Sequence, residues 1–361
     1  MRLFVDCHVF DGKFQGTRTY LQGIYTNLVN HKDVDFYFAA QNLDNLRTVF
    51  GDAENIHYVQ LSNGGGLKRL FVEIPQIIKE YQIDYAHYQY ISPWKKCCKE
   101  IVTCHDLLFL DMPQYFPLSF RLNKGFFFKR SAKRADVLLT VSKFSKSELV
   151  RHYGLVKDKI YITPNAVLPA EENIVLPDVK SAWGLDKYIM TVSRIEPRKN
   201  HLSLLKAFVE LKLYEKSYKL VMVGSPDIEY KEFQDYLHSL PNDIQDSVVI
   251  KLASFPELVA LYRNASLFVF PSLAEGFGIP PLEALEYGCP LLCSNATAMA
   301  EFDFPKEIFF DPQNFDELKT KINRELQNPT NLASTRKHIK EIFDWPVISE
   351  NFYNLLKKQP C

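Results

Sequence analysis

The chain lacks an excess of charge of either sign. Its 43 Lys and Arg residues balance 43 Asp and Glu, for a formal net charge of zero. A dedicated nucleic-acid binder carries a basic excess over its domain, so that class is disfavoured. Long apolar runs are missing too: no window approaches the roughly 18 residues of a membrane span. The opening MRLFVDCHVFDG has one Arg, and its apolar run is broken by Asp6 and His8. It lacks the apolar core and small-residue cleavage site of a secretory signal. Cysteines are few and odd in number: Cys7, Cys97, Cys98, Cys104, Cys289, Cys293 and Cys361. Scattered in this way they read as reduced thiols of a cytoplasmic protein. Cys97, Cys98, Cys104 and His105 fit no zinc-ligand spacing. No strand is followed by G-x-G-x-x-G, which disfavours a dehydrogenase; Gly64, Gly65 and Gly66 read as a loop. Repeats of solenoid period and low-complexity tracts are also absent.

What is present is a packed globular chain: 47% of residues are apolar and 24% charged. A length of 361 residues predicts about two domains. In the first half, strand candidates at residues 2–6, 35–39, 56–61, 84–88, 101–104 and 137–141 alternate with helix candidates at 17–29, 70–81 and 116–134. Runs such as ADVLLTV are apolar on both faces, as in a parallel sheet covered on both sides. Residues 164–177 are rich in Pro and acidic side chains and read as a linker. The alternation then restarts, with strands at 187–192, 219–223, 248–250, 267–270 and 290–293. Helices are expected at 202–213, 258–263, 281–287, 315–327 and 347–358. The predicted class is α/β, with two doubly wound, Rossmann-like domains. Ligands in such sheets bind outside the carboxyl ends of the strands, so a site is expected in a cleft between the domains.

The most informative stretch is PSLAEGFGIPPLEALEYGCPLL, residues 271–292, which follows the strong strand LFVF. Gly276 and Gly278 predict a tight loop, and Pro280 and Pro281 suit the first turn of a helix. Glu275 is then expected in the loop and Glu283 within the first helical turns. A helix start between two carboxylates favours an anion such as a diphosphate, and Gly278 lets it approach. The carboxylates accept hydrogen bonds from ribose or sugar hydroxyls. In the second stretch, TVSRIEPRKNHLSLLKAF, a strand ends near Ser193 and a helix begins near Asn200. Arg194 and Lys199 between them are placed to neutralise a departing diphosphate.

Together these stretches resemble the retaining glycosyltransferases of family 4 (glycosyl transferases group 1), which have the GT-B fold. SRIEPRKNHLSLLKAF is similar to that family's phosphate loop, and EGFGIPPLEALEYGCP matches its E-x7-E motif without a gap. TCHDLLFLDMPQYFP, ADVLLTVSKFSKSEL, ITPNAV and FDWPVISENFYNLLK resemble further segments, so the likeness covers nearly the whole chain. It implies an N-terminal acceptor-side domain over 1–168, with a helix at about 345–361 crossing back onto it. A donor-binding domain follows over 173–344. By resemblance, Glu283 binds the donor ribose, Glu275 the transferred sugar, and Arg194 and Lys199 the diphosphate. The backbone of Phe277, Gly278 and Ile279 faces the donor, Gly16 belongs to an N-domain glycine loop, and His105 lies near the sugar. Glu275, His105, Arg194 and Lys199 form the expected catalytic set.

The implied reaction moves a hexose-type sugar with retention of configuration. The donor is a UDP- or GDP-sugar and the acceptor a saccharide or lipid-linked saccharide, as in surface polysaccharide synthesis. No metal and no other cofactor is required. The basic, aromatic segment 117–135 suggests peripheral contact with the inner face of a membrane. A sugar-nucleotide epimerase or a non-catalytic sugar-nucleotide-binding protein of the same fold are the rival expectations.

Overall fold

The computed structural model describes residues 1–12, 15–170, 174–226 and 229–358. The chain divides into two compact units, Met1–Leu168 with Phe343–Cys361, and Pro169–Ile342. Of the expected linker, residues 164–170 and 174–177 carry no regular structure, and 171–173 lie outside the described residues.

The first unit holds β1 (Arg2–Asp6), β2 (Asp35–Ala40), β3 (Ile56–Gln60), β4 (Tyr85–Gln89), β5 (Lys99–Thr103), β6 (Val137–Thr140) and β7 (Ile160–Ile162). They form one parallel sheet in the order β3-β2-β1-β4-β5-β6-β7. The second unit repeats the plan with β8 (Lys187–Val192), β9 (Tyr218–Val223), β10 (Val248–Lys251), β11 (Leu267–Phe270), β12 (Leu291–Ser294) and β13 (Phe309–Phe310). Its order is β10-β9-β8-β11-β12-β13, again all parallel. Central strands such as β6 and β11 are buried at every residue, which explains their unbroken apolar sequences. Each sheet reverses its strand order once, between β1 and β4 and between β8 and β11. Loops leaving adjacent strands on opposite sides open a crevice at those points.

The helix expected over 70–81 is interrupted. Residues Arg69–Glu73 form a π-turn, and regular α-helix resumes at Ile74–Glu80. Pro75 has no N–H to donate back, so the hydrogen-bond ladder loosens as it enters the α segment. The final helix, Trp345–Lys357, packs on the first, Gly16–Leu28. A Cβ on Gly23 would stand 2.1 Å from the Trp345 ring, so only glycine admits the indole. Ser349 Oγ donates to the Ile24 carbonyl at 3.0 Å. Trp345, Ile348, Phe352 and Leu356 recur on one face and are buried, at roughly 1.5–3 kcal/mol each. Asp33, Val34 and Asp35 have Asp-x-Asp spacing, but Tyr353 and Lys357 take Asp33 at the amino end of β2, away from the ligand-binding edge.

Candidate functional site

At the β8/β11 reversal two loops meet. The loop after β8 runs through a short 3-10 turn, Pro197–Lys199, to Asn200. Asn200 takes the left-handed conformation (φ 58°), which asparagine tolerates, and its side-chain amide donates to the Pro312 carbonyl at 3.1 Å. The helix His201–Glu210 follows. The loop after β11 carries Glu275 and turns at Gly278 into the helix Ile279–Glu286. Gly278 has φ 101°, and a Cβ there would reach 3.0 Å from Met299 Cγ. Both the turn and the close approach require glycine. Leu273 N–H donates to the Arg198 carbonyl at 2.9 Å, tying the two loops together.

The loops bring four charges into contact. Lys199 Nζ binds Glu275 Oε1, and Arg198 Nη1 lies 3.3 Å from Glu275 Oε2. Arg198 also binds Glu196 Oε1 and the Ala274 carbonyl. Arg194 stands outside this cluster, exposed, 3.8 Å from Glu196 Oε2. Burial by itself raises the Glu275 carboxyl, but Lys199 and Arg198 outweigh it and hold it down to about 2. Burial draws Lys199 below its ordinary value while Glu275 pulls it back up. The cluster is ionic at neutral pH because each carboxylate faces a cation at hydrogen-bonding range. Thr297 braces Glu275 from a third loop: its Oγ1 accepts from Glu275 N–H at 2.9 Å and donates to the Glu275 carbonyl. For this it holds φ 53°, a strained value for a β-branched residue.

Glu283 sits one turn into the helix, in a different environment. Burial raises its carboxyl, and its partner is Tyr262, whose hydroxyl donates to Oε2 at 2.9 Å. The helix start between the two glutamates is poorer in donors than the spacing suggests. Pro280 and Pro281 supply no N–H, leaving the amides of Gly278 and Ile279. A diphosphate there depends more on side-chain cations than on the helix terminus.

In the first unit, His105 follows β5 and is buried. Its Nε2 hydrogen-bonds to Gln89 Oε1 at 2.7 Å, at the end of β4, and burial lowers the imidazole to about 3, so it is neutral. Gly16, expected in a loop, is instead the first residue of its helix, after an extended Gln15, and is exposed. The ligand atoms of Cys97, Cys98, Cys104 and His105 do not gather among the described residues. The group with metal-ligand spacing is Asp111, Glu148 and His152, where the Arg151 guanidinium already pairs with both carboxylates.

Sequence reading singled out Glu275, Glu283, Arg194 and Lys199 but missed Arg198, Glu196, Thr297 and Tyr262. Arg198 had a signal, since it lies beside Lys199 in the same short loop. Tyr262 and Thr297 had none, because sheet order alone brings them to the glutamates.

The family model for Glycosyltransferase Family 4 matches residues 16–171, and that for Glycosyl transferases group 1 matches 179–342. O-antigen chain mannosyltransferase B of Escherichia coli is 28% identical over 82% of this chain and 82% of its own length. The serotype-specific mannosyltransferase WbdA of E. coli is 28% identical over 68% of this chain, which spans 31% of WbdA. Among solved structures, Anabaena HepE in complex with UDP has a TM-score of 0.69 at 18% identity, covering 99% of each chain. Two parallel Rossmann-like sheets, a charged loop pair at a strand-order reversal and matches along nearly the whole sequence lead to one assignment: the chain belongs to the family-4 glycosyltransferases (glycosyl transferases group 1), enzymes of the GT-B fold.

Proposed function

We propose that this glycosyltransferase moves a hexose-type sugar, mannose in the first instance, from a nucleoside diphosphate sugar to a saccharide or lipid-linked saccharide during polysaccharide synthesis. It does so with retention of configuration. The carrying observation is the Lys199–Glu275–Arg198 cluster at the β8/β11 reversal, one loop away from Glu283. The mannosyltransferase relatives support the choice of sugar. HepE supports a nucleoside diphosphate as the leaving group. In this reading the bond between the anomeric carbon and the diphosphate oxygen breaks through an oxocarbenium-like state. Charge grows on the departing oxygen and is met by Arg194, Lys199 and the amides of Gly278 and Ile279. Glu275 orients the sugar, Glu283 holds the ribose, and His105 contributes a neutral imidazole. The protein's own cations do the work of a metal, so activity is expected to survive chelation.

Incubation of the purified chain with GDP-mannose, UDP-glucose or UDP-galactose and a mannose-terminated acceptor tests this. Nucleoside diphosphate release that needs the acceptor, with an α-linked product from an α-linked donor, is the expected result. Conversion of the donor without acceptor, or inversion, overturns it.

One surface supports contact with a membrane. On the helix Leu118–Arg134, the side chains of Leu118, Phe120, Leu122 and Phe126 are exposed, interleaved with Arg121, Lys124, Lys129 and Lys133. Exposed apolar groups among bases suit an anionic lipid surface. No helix of the described residues is long and apolar enough to cross a membrane, so any attachment through them is peripheral. The chain is expected to co-sediment with phosphatidylglycerol-containing vesicles but not with pure phosphatidylcholine. Equal recovery with both rejects this surface.

A further inference from the structure

The Glu283 side chain has one hydrogen-bonding partner among the described residues, and that partner is unusually well fixed. Tyr262 lies on the helix Phe255–Asn264, whose start is held by a capping box between Ser254 and Glu257. Its side chain is fully buried. The ring lies 5.4 Å from Phe268 on β11 and stacks on Tyr287 at 5.8 Å. Its hydroxyl therefore has little freedom to turn elsewhere, and it donates to Glu283 Oε2 at 2.9 Å. The other carboxylate oxygen, Oε1, has no protein donor among the described residues.

We propose that Tyr262 is a positioning residue that sets the ribose specificity of the donor site. By occupying Oε2 it fixes the carboxylate plane and leaves Oε1 as the acceptor for a ribose hydroxyl. This inference rests on the reading of Glu283 as the ribose-binding group. A half-buried carboxylate oxygen that loses its hydroxyl partner is costly, so the site discriminates against a deoxyribose. The discrimination depends on Oε1 being held in place. Without the tyrosine hydroxyl, the carboxylate rotates or takes up water, and ribose and deoxyribose become nearly equivalent.

The test is calorimetric titration of the full chain with UDP and dUDP and with GDP and dGDP, using whichever base binds. The wild type is expected to favour the ribonucleotide by about tenfold or more, the worth of one hydrogen bond to a charged group. Tyr262→Phe keeps the ring and removes only the hydroxyl. It is expected to bring the ratio to within about twofold, mostly by weakening the ribonucleotide. A purely structural role would lower the melting temperature and leave the ratio unchanged, and that result overturns the proposal. Glu283→Gln separates the two ideas. If Glu283→Gln abolishes the preference and Tyr262→Phe does not, only the role of Tyr262 fails. If Glu283→Gln retains the preference, or neither ribonucleotide binds the wild type, the donor reading of Glu283 fails with it.

Discussion

Glu275→Gln is expected to lower kcat for sugar transfer by about 10²–10³-fold while leaving nucleoside diphosphate affinity intact or slightly improved. The substitution keeps the shape of the side chain and an oxygen that accepts from Lys199. It removes the charge that pairs Lys199 and Arg198. In the ground state those cations then have more of their field available for a diphosphate, so binding does not suffer. In the proposed transition state, positive charge grows on the sugar ring, and the carboxylate assigned to orient the sugar is gone. The signature is thus a fall in kcat with a flat or lower Kd. Arg198→Met provides the contrast. Arg198 is a buried partner of two carboxylates and of the Ala274 carbonyl, and it positions Glu275 from behind. Removing one member of such a cluster leaves uncompensated charge, at about 3–5 kcal/mol of stability. Both substitutions should therefore lower melting temperature and rate, and they separate on donor affinity, since only Glu275→Gln frees two cations for the diphosphate. Normal transfer by Glu275→Gln, with kcat within about threefold of wild type, would remove Glu275 from the mechanism.

The two glutamates were legible for a local reason. A strand, a glycine loop and a Pro-Pro helix start are written in consecutive residues, and backbone chemistry places Glu275 before the helix and Glu283 inside it. The long central strands were legible because full burial writes them as continuous apolar runs. β7 and β13 were not, because three and two residues are too few to carry a pattern. The helix Lys143–Tyr153 also escaped, since its sequence KFSKSELVRHY has only a weak apolar stripe. The pairing of Lys199 with Glu275 spans 76 residues and exists because β8 and β11 are neighbours. The hydrogen bond from Tyr262 to Glu283 depends likewise on two helices flanking one strand. Sequence pattern locates charged residues at strand ends; only topology decides which of them touch. Hence Arg194 and Lys199, read as one clamp, separate into an exposed cation and one already engaged by Glu275.

Acidification should unfold this protein well above the range set by its carboxylates. Three histidines, His87, His105 and His201, are buried, and burial lowers each imidazole to about 3. His105 adds to the effect at His87, and Lys199 adds to it at His201. Each ring is already bonded as a neutral group: His87 to Tyr25 and Thr103, His105 to Gln89, and His201 to Ser193. In the unfolded chain the same rings titrate near 6.5, so below that pH the unfolded state binds more protons than the folded one. Stability is thus fully present above about pH 6.5 and falls as the pH drops toward 3, by at most about 4 kcal/mol per pH unit for three protons. Against a typical total of about 5–15 kcal/mol, that slope reaches the unfolding midpoint within a few units. Glu275 adds a second loss lower down: its contribution is present above its ordinary value of 4.5 and disappears as the pH falls toward about 2. Glu283 has the opposite sign, since its raised carboxyl favours the folded state at acid pH, but one half-buried group does not offset three histidines. Melting temperature measured from pH 8 to 4.5 should hold a plateau and then fall steeply below about 6.5. His201→Gln should flatten the fall by about one proton's share. A melting temperature unchanged down to pH 4.5 would mean that these rings take up protons in the folded state, and the neutral imidazole of His105 would go with it.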